Sequence, residues 1–292
     1  MVHHYAQVNG IQLHYVAAGQ GPLMLFLHGF PEFWFEWRNQ LAEFSKDHLA
    51  VAPDLRGYNL SDKPAGVENY KARILVEDIR ALADHLLGDP AAKFTLVAHD
   101  WGGAVAWAFA MTYPQRLNQL IVLNSPHPAV FARELRDNAA QQQASQYMLF
   151  FRSPKSEEVL PRDNYRRLGG MVFGPWMNDE VRAEYHTAWA QPGALVGGLN
   201  YYRASPLAPP SPEHGILPEN FRTDPALFSV RVPTLVIWGE QDQALLAGNL
   251  EGLDEYIPDL TIRRIPEGSH WIAHEHPEQV NGYIREFMSR SA

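Results

Sequence analysis

Cysteine is absent from the 292-residue chain. That single absence excludes disulfides, thiolate zinc sites, iron–sulfur clusters and cysteine nucleophiles, and nothing demands an oxidising compartment. Positive charge is not in excess either: 24 Lys and Arg stand against 33 Asp and Glu, a formal net charge of −9. Nucleic acid and anionic lipid are therefore poor partners. No long hydrophobic run is present, since the longest stretch without a polar side chain, Trp101 to Met111, is about half of the ~20 residues a membrane span needs. The first ten residues lack the basic stretch and apolar run of a secretory signal. A soluble, cytoplasmic, unprocessed protein is expected. With 46% hydrophobic and 20% charged residues, the chain can bury a core in one large domain or a domain with an insertion.

Asn9-Gly10 between Gln7-Val8 and Ile11 to Val16 has the chemistry of a two-residue hairpin turn. Leu23 to Leu27 and Leu49 to Ala52 read as strands buried on both faces. Ile74, Leu75, Ile79, Leu82 and Leu86 recur at helical spacing before Gly88 and Pro90. Phe94 to Ala98, the small-residue helix Gly102 to Met111 and the strand Leu120 to Leu123 continue an alternation of strand and helix, which predicts a mostly parallel sheet and an α/β fold. The alternation breaks after Pro126 and Pro128 and resumes at Thr234 to Trp238, Thr261 to Ile265 and a last helix over Pro277 to Met288. Residues 128–225 thus read as a helical insertion, or cap, that ends in a segment with six prolines from Ala204 to Pro225, and residues 1–127 and 226–292 form the core.

Val97-Ala98-His99-Asp100-Trp101-Gly102-Gly103 stands at a predicted strand-to-helix junction. It has the layout of a nucleophile elbow, where small residues two positions either side let strand and helix approach closely. Ala98 takes the place of the usual first glycine, and Asp100 that of the nucleophile. An aspartate after a strand also serves as a helix cap. A carboxylate nucleophile, however, needs a base to hydrolyse its ester, and a base needs an orienting acid. Asp242 follows one later strand and His270 the next, in the chain order nucleophile, acid, histidine. Glu240 competes as the acid, but Asp242 lies two residues further on, where a turn can aim it. Leu27-His28-Gly29-Phe30-Pro31-Glu32 follows an early strand. Phe30 N–H and Trp101 N–H are the candidate oxyanion donors, and a tight turn here favours a cis Phe30-Pro31 bond.

From the hairpin to the last helix the chain resembles the soluble epoxide hydrolases of the α/β-hydrolase superfamily. Four segments carry the resemblance: His28 to Glu32, Asp54-Leu55-Arg56-Gly57-Tyr58-Asn59-Leu60-Ser61-Asp62-Lys63-Pro64, His99 to Gly103, and Leu199-Asn200-Tyr201-Tyr202-Arg203-Ala204. It implies an α/β-hydrolase fold with an inserted helical cap, and two cap tyrosines that bind the epoxide oxygen. Tyr202 matches one, and Tyr147 in Ser145 to Phe150 the other. Neighbouring helical residues point about 100° apart, so only one of Tyr201 and Tyr202 can face the nucleophile, and Tyr202 is the match. The implied reaction takes a small hydrophobic epoxide and water to a vicinal diol with no cofactor.

Dehalogenases use the same Asp nucleophile and are the alternative. Against them, Phe30 cannot cradle a halide as the asparagine of many haloalkane dehalogenases does. Trp101 and Ala104 likewise stand where fluoroacetate dehalogenases carry arginines. Asp100 excludes a serine esterase, and a non-catalytic binding protein would have no need of the whole set. His270, His274 and His276 cluster, but Glu275 makes no His-Glu-x-x-His pattern, so no metal is expected. Phe30, Trp34 and Trp101 are the candidate substrate contacts in an apolar pocket between cap and core. For Trp34 and Trp37, helix packing is an equal alternative. Oligomeric state does not follow from the sequence.

Overall fold

The computed structural model describes residues 1–211 and 223–291. Its sheet runs in the order β1-β2-β4-β3-β5-β6-β7-β8. The strands are β1 (Val2–Val8), β2 (Ile11–Ala18), β3 (Leu23–Leu27), β4 (Leu49–Pro53), β5 (Phe94–His99), β6 (Leu117–Leu123), β7 (Thr234–Gly239) and β8 (Leu260–Ile265). β1 and β2 pair antiparallel with Val8 opposite Ile11, and Asn9 and Gly10 take positive φ between them, as the hairpin reading requires. β2 also meets β4 antiparallel; every pairing from β4 to β8 is parallel.

The unbroken apolar strands are explained by burial on both faces. Leu25, Leu27, Leu96, Ala98, Leu120, Val122, Val236 and Trp238 point into one cluster. Their neighbours Met24, Phe26, Val97, Ile121, Leu123, Leu235 and Ile237 point into the other. Helices α1 (Arg38–Phe44), α2 (Ala72–Leu87) and α3 (Asp100–Thr112) follow β3, β4 and β5. α2 ends on Gly88 in the left-handed conformation. The short turn and helix from Trp34 to Phe44 escaped the sequence reading, because it is too brief to show a period.

Between β6 and β7 lie α4 (Pro128–Asp137), α5 (Ala139–Ala144), α6 (Tyr147–Arg152), α7 (Lys155–Val159), α8 (Arg162–Val172), α9 (Asp179–Trp189), α10 (Ala194–Ala204) and α11 (Pro225–Phe228). The proline-rich stretch is described to Ser211, and its residues 212–222 lie outside the described residues. After β8 come α12 (Ile272–Glu275) and α13 (Pro277–Met288); α13 buries Val280, Ile284 and Phe287 at helical spacing. Parallel strands deliver their C-terminal ends to one edge of the sheet, so the residues after β3, β5, β6, β7 and β8 gather there, where ligands bind in open α/β sheets.

Glycine sets the distance between that edge and α10. Gly57, at φ 90°, meets Gly197 of α10 backbone to backbone, and a Cβ on Gly197 would lie 2.6 Å from Gly57 Cα. Neither backbone can yield without moving α10. Gly197→Ala is expected to cost about 1–3 kcal/mol through overpacking, read as a lower urea midpoint; unchanged stability would show that α10 tolerates the displacement.

Candidate active site

Asp100 sits where β5 passes into α3 and takes φ 48°, a left-handed conformation that an L side chain adopts only when its surroundings hold it. Several contacts do so. Ser125 Oγ donates to Asp100 O at 2.7 Å. A Cβ on Gly102 would overlap the carbonyl oxygens of Leu27 and His28, and one on Gly103 the Ser125 side chain. The small residues of the elbow are thus steric requirements of the turn. Phe30 N–H donates to Asp100 Oδ1 at 2.7 Å, and Oδ2 faces His270 Nε2 at 3.8 Å.

The Phe30 donor belongs to the turn after β3, where the Phe30-Pro31 bond is cis. Leu55 N–H donates to His28 Nε2 at 3.0 Å, so His28 carries its proton on Nδ1 and donates to Gly29 O at 2.9 Å. Burial lowers the His28 pKa, keeping that ring neutral. Trp101, the other candidate donor, occupies the first turn of α3, where backbone N–H groups have no partner within the helix.

His270 Nδ1 lies 2.6 Å from Asp242 Oδ2. Asp242 is 5% exposed, and burial by itself would raise its pKa. The His270 ring beside it, the Leu245 N–H and the Asn124 amide pull harder and leave it lowered, so it stays ionised. Asn124 donates to Asp242 Oδ2 at 2.8 Å and accepts from Gly239 N–H at 2.9 Å, pinning the end of β7 to the acid. It was missed in the sequence; the available signal was an asparagine closing an apolar strand, and it takes the positive φ asparagine tolerates.

Tyr147 on α6 and Tyr202 on α10 stand with ring centroids 6.2 Å apart. Both line two cavities that meet at Asp100. The first, about 360 Å³, continues past Trp101, Val105, Phe131, Met148 and Leu207 and is mostly apolar. The second, about 240 Å³, reaches Gln241, Asp242, Ser269 and His270. Burial first, and the Asp100 charge second, push both tyrosine pKa values above that of free phenol, so both remain protonated. Tyr201 donates instead to Arg56 O at 2.9 Å.

One expectation fails. Trp34 is absent from the lining of both cavities: its ring packs edge-on to His3 at 5.4 Å, while its backbone N–H donates to Asp54 Oδ1 at 3.1 Å. The turn that follows Phe33 carries it toward the hairpin and away from Asp100. Trp37 is buried on the opposite face of the sheet.

Behind Asp100 lies a buried ion pair that the sequence reading did not assign, His99 Nδ1 and Glu36 Oε1 at 2.7 Å. Glu36 Oε2 also accepts from Gly29 N–H at 3.2 Å, and His99 Nε2 reaches His270 O at 2.9 Å. The pair therefore bridges the oxyanion turn and the histidine loop. A glutamate inside the aromatic run Phe33 to Trp37 was its one visible sign.

With the geometry in place, comparison with known proteins identifies the class. A family model described as alpha/beta hydrolase fold matches residues 22–277, and the chain belongs to that family. Within it, the chain is similar over nearly its whole length to epoxide hydrolases. Epoxide hydrolase 4 of Mus musculus is 38% identical across 98% of this chain and 79% of its own. A Bacillus megaterium epoxide hydrolase crystallised with an inhibitor superimposes with a TM-score of 0.88 at 40% identity, covering 98% of this chain and 100% of that one. The AB hydrolase superfamily protein YfhM of Bacillus subtilis is 38% identical across 97% of this chain and 96% of its own. The chain is a hydrolase of this epoxide-hydrolase group. Among the described residues no helix is long and apolar enough to cross a membrane.

The buried pair generates a pH dependence. Burial favours neutral His99, but Glu36 and then Asp100 outweigh it and raise the pKa from 6.5 to about 9. A group protonated more readily when folded stabilises the fold fully below its ordinary pKa and loses that contribution as pH rises through the folded value. Stability is therefore expected to decline between pH 6.5 and about 9, by at most about 1.4 kcal/mol per pH unit. Urea denaturation across this window checks it: Glu36→Gln removes the slope, and equal slopes in both proteins contradict the assignment.

Proposed function

We propose that the protein opens epoxides through a covalent ester on Asp100 and hydrolyses that ester to a vicinal diol. One observation carries the reading: Asp100 holds one oxygen against Phe30 N–H and presents the other to a space that Tyr147, Tyr202 and His270 line. Oδ2 attacks a ring carbon from the side opposite the breaking C–O bond, and the departing oxygen takes a proton from the paired cap tyrosines. A phenol that keeps its proton at neutral pH can both bind that oxygen and protonate it.

In the second step His270 Nε2 accepts a proton from water, which attacks the ester carbonyl carbon. At 3.8 Å from Asp100 Oδ2, Nε2 is free of that carboxylate and open to a water. Ionised Asp242 on Nδ1 holds the ring in the tautomer that leaves Nε2 available and stabilises the imidazolium. Negative charge gathers on Oδ1, already against Phe30 N–H, with Trp101 N–H as the second donor. Collapse expels Oδ2 with the product, where it takes the proton from His270, and the carboxylic acid left on Asp100 returns its proton to the tyrosinate formed in the first step, restoring both groups. The mostly apolar larger cavity suits a hydrophobic or aryl substituent, with Phe30 and Trp101 as contacts. A halide would leave without needing a proton, so a dehalogenase would have no use for two protonated phenols here.

With styrene oxide, Tyr202→Phe is expected to slow formation of the alkyl-enzyme by roughly 10²-fold or more while ester hydrolysis persists; full ring-opening rate removes Tyr202 from the mechanism. His270→Gln is expected to react once and stall, giving a substrate-sized mass increase on the intact protein. Halide release from a 1-haloalkane without diol from styrene oxide would favour the dehalogenase reading.

A further inference from the structure

The inserted helix α9 reaches back to the turn that carries the oxyanion donor. Trp189 Nε1–H donates to Pro31 O at 2.6 Å. That carbonyl shares a peptide group with Glu32 N–H, which donates to Gly29 O at 3.1 Å. The Gly29 carbonyl in turn shares a peptide group with Phe30 N–H, the donor to Asp100 Oδ1 at 2.7 Å. Two planar peptide groups in series therefore connect the indole to the nucleophile. Each acceptor bond polarises the N–H at the other end of its plane, and rigid planarity transmits orientation as well.

The indole is itself fixed. Its ring stacks on Phe173 at 5.5 Å and His186 at 5.7 Å, and Tyr165 OH donates to Trp189 O at 3.2 Å. One turn earlier on α9, Tyr185 OH donates to Glu32 Oε2, and Glu32 Oε1 meets His274 Nε2 at 3.0 Å. The turn is thus held from both ends of the Pro31-Glu32 peptide.

We propose that Trp189 is a positioning residue for the oxyanion hole, acting on Phe30 N–H through the Pro31-Glu32 and Gly29-Phe30 peptide groups. The inference rests on the covalent reading above, and that mechanism sets its signature. In ring opening Asp100 loses negative charge as Oδ2 forms its bond, so a weaker donor at Oδ1 does not slow the step. In ester hydrolysis the carbonyl carbon becomes tetrahedral and Oδ1 gains a full charge, so the donor counts most there. A general loosening of the fold would slow both steps alike.

The test follows single turnovers of styrene oxide by rapid-quench intact mass, reading growth and decay of the adduct in the wild-type protein, Trp189→Phe and Trp189→His. Trp189→Phe keeps the stack and loses the N–H; its adduct is expected to form within about twofold of the wild-type rate and to decay roughly tenfold or more slowly. Trp189→His retains a ring N–H and is expected to decay at an intermediate rate, and it carries the test if Trp189→Phe does not fold. Wild-type decay in Trp189→Phe, or an equal loss in both steps, overturns the role of Trp189 while leaving the covalent mechanism intact. No adduct in any protein, His270→Gln included, overturns the covalent reading and this inference with it.

Discussion

The hydrogen bond from Phe30 N–H to Asp100 Oδ1 is the contact on which the site depends. It separates the two oxygens of one carboxylate, holding Oδ1 against a backbone donor and leaving Oδ2 toward His270; in the proposed mechanism Oδ1 is where charge develops. The bond requires Asp100 to stay at φ 48°, a conformation that costs of order 1–3 kcal/mol. Two glycines, Ser125 and the close approach of β3 to α3 maintain it. Even Gly29 is constrained by the same contact, since a Cβ there would strike the Asp100 side chain. Sheet edge, elbow and turn are therefore one steric unit, and the chemistry is placed by backbone before any base or acid is added.

Around that unit the environment is divided. The larger cavity is mostly apolar. The smaller one brings His270 and Asp242 to the same carboxylate. Tyr147 and Tyr202 stand at the junction, and burial there raises the cost of losing a proton, which keeps both phenols protonated at neutral pH. Beneath the floor, Glu36 and His99 place a buried ion pair against both the oxyanion turn and the histidine loop. Fixed charges of this kind hold geometry without reorganising as charge moves.

Much of this is legible in the sequence where a requirement is local. Asn9-Gly10, the doubly buried strands, the spacing of α2 and the small residues around Asp100 each follow from backbone sterics or burial acting over a few residues. The two tyrosines became legible only through resemblance, because α6 and α10 are brought together by the fold and not by any period in the chain. Trp34 shows the limit: its place just after the turn that carries Phe30 left a pocket wall and helix packing equally open, and only the fold sets its ring against His3. Asn124, Glu36 and Trp189 are each joined to partners distant in the chain, and such pairings leave no mark on local composition.

The central claim is that the oxygen added to the epoxide comes from Asp100, while the water oxygen goes to Asp100. Isotope tracing reads that claim directly. With enzyme in excess over styrene oxide in oxygen-18 water, a single turnover is expected to give unlabelled diol and to leave the label in the peptide that contains Asp100. Labelled diol and an unlabelled Asp100 peptide would mean that water attacks the epoxide itself, with Asp100 as its base, and the covalent account would be wrong.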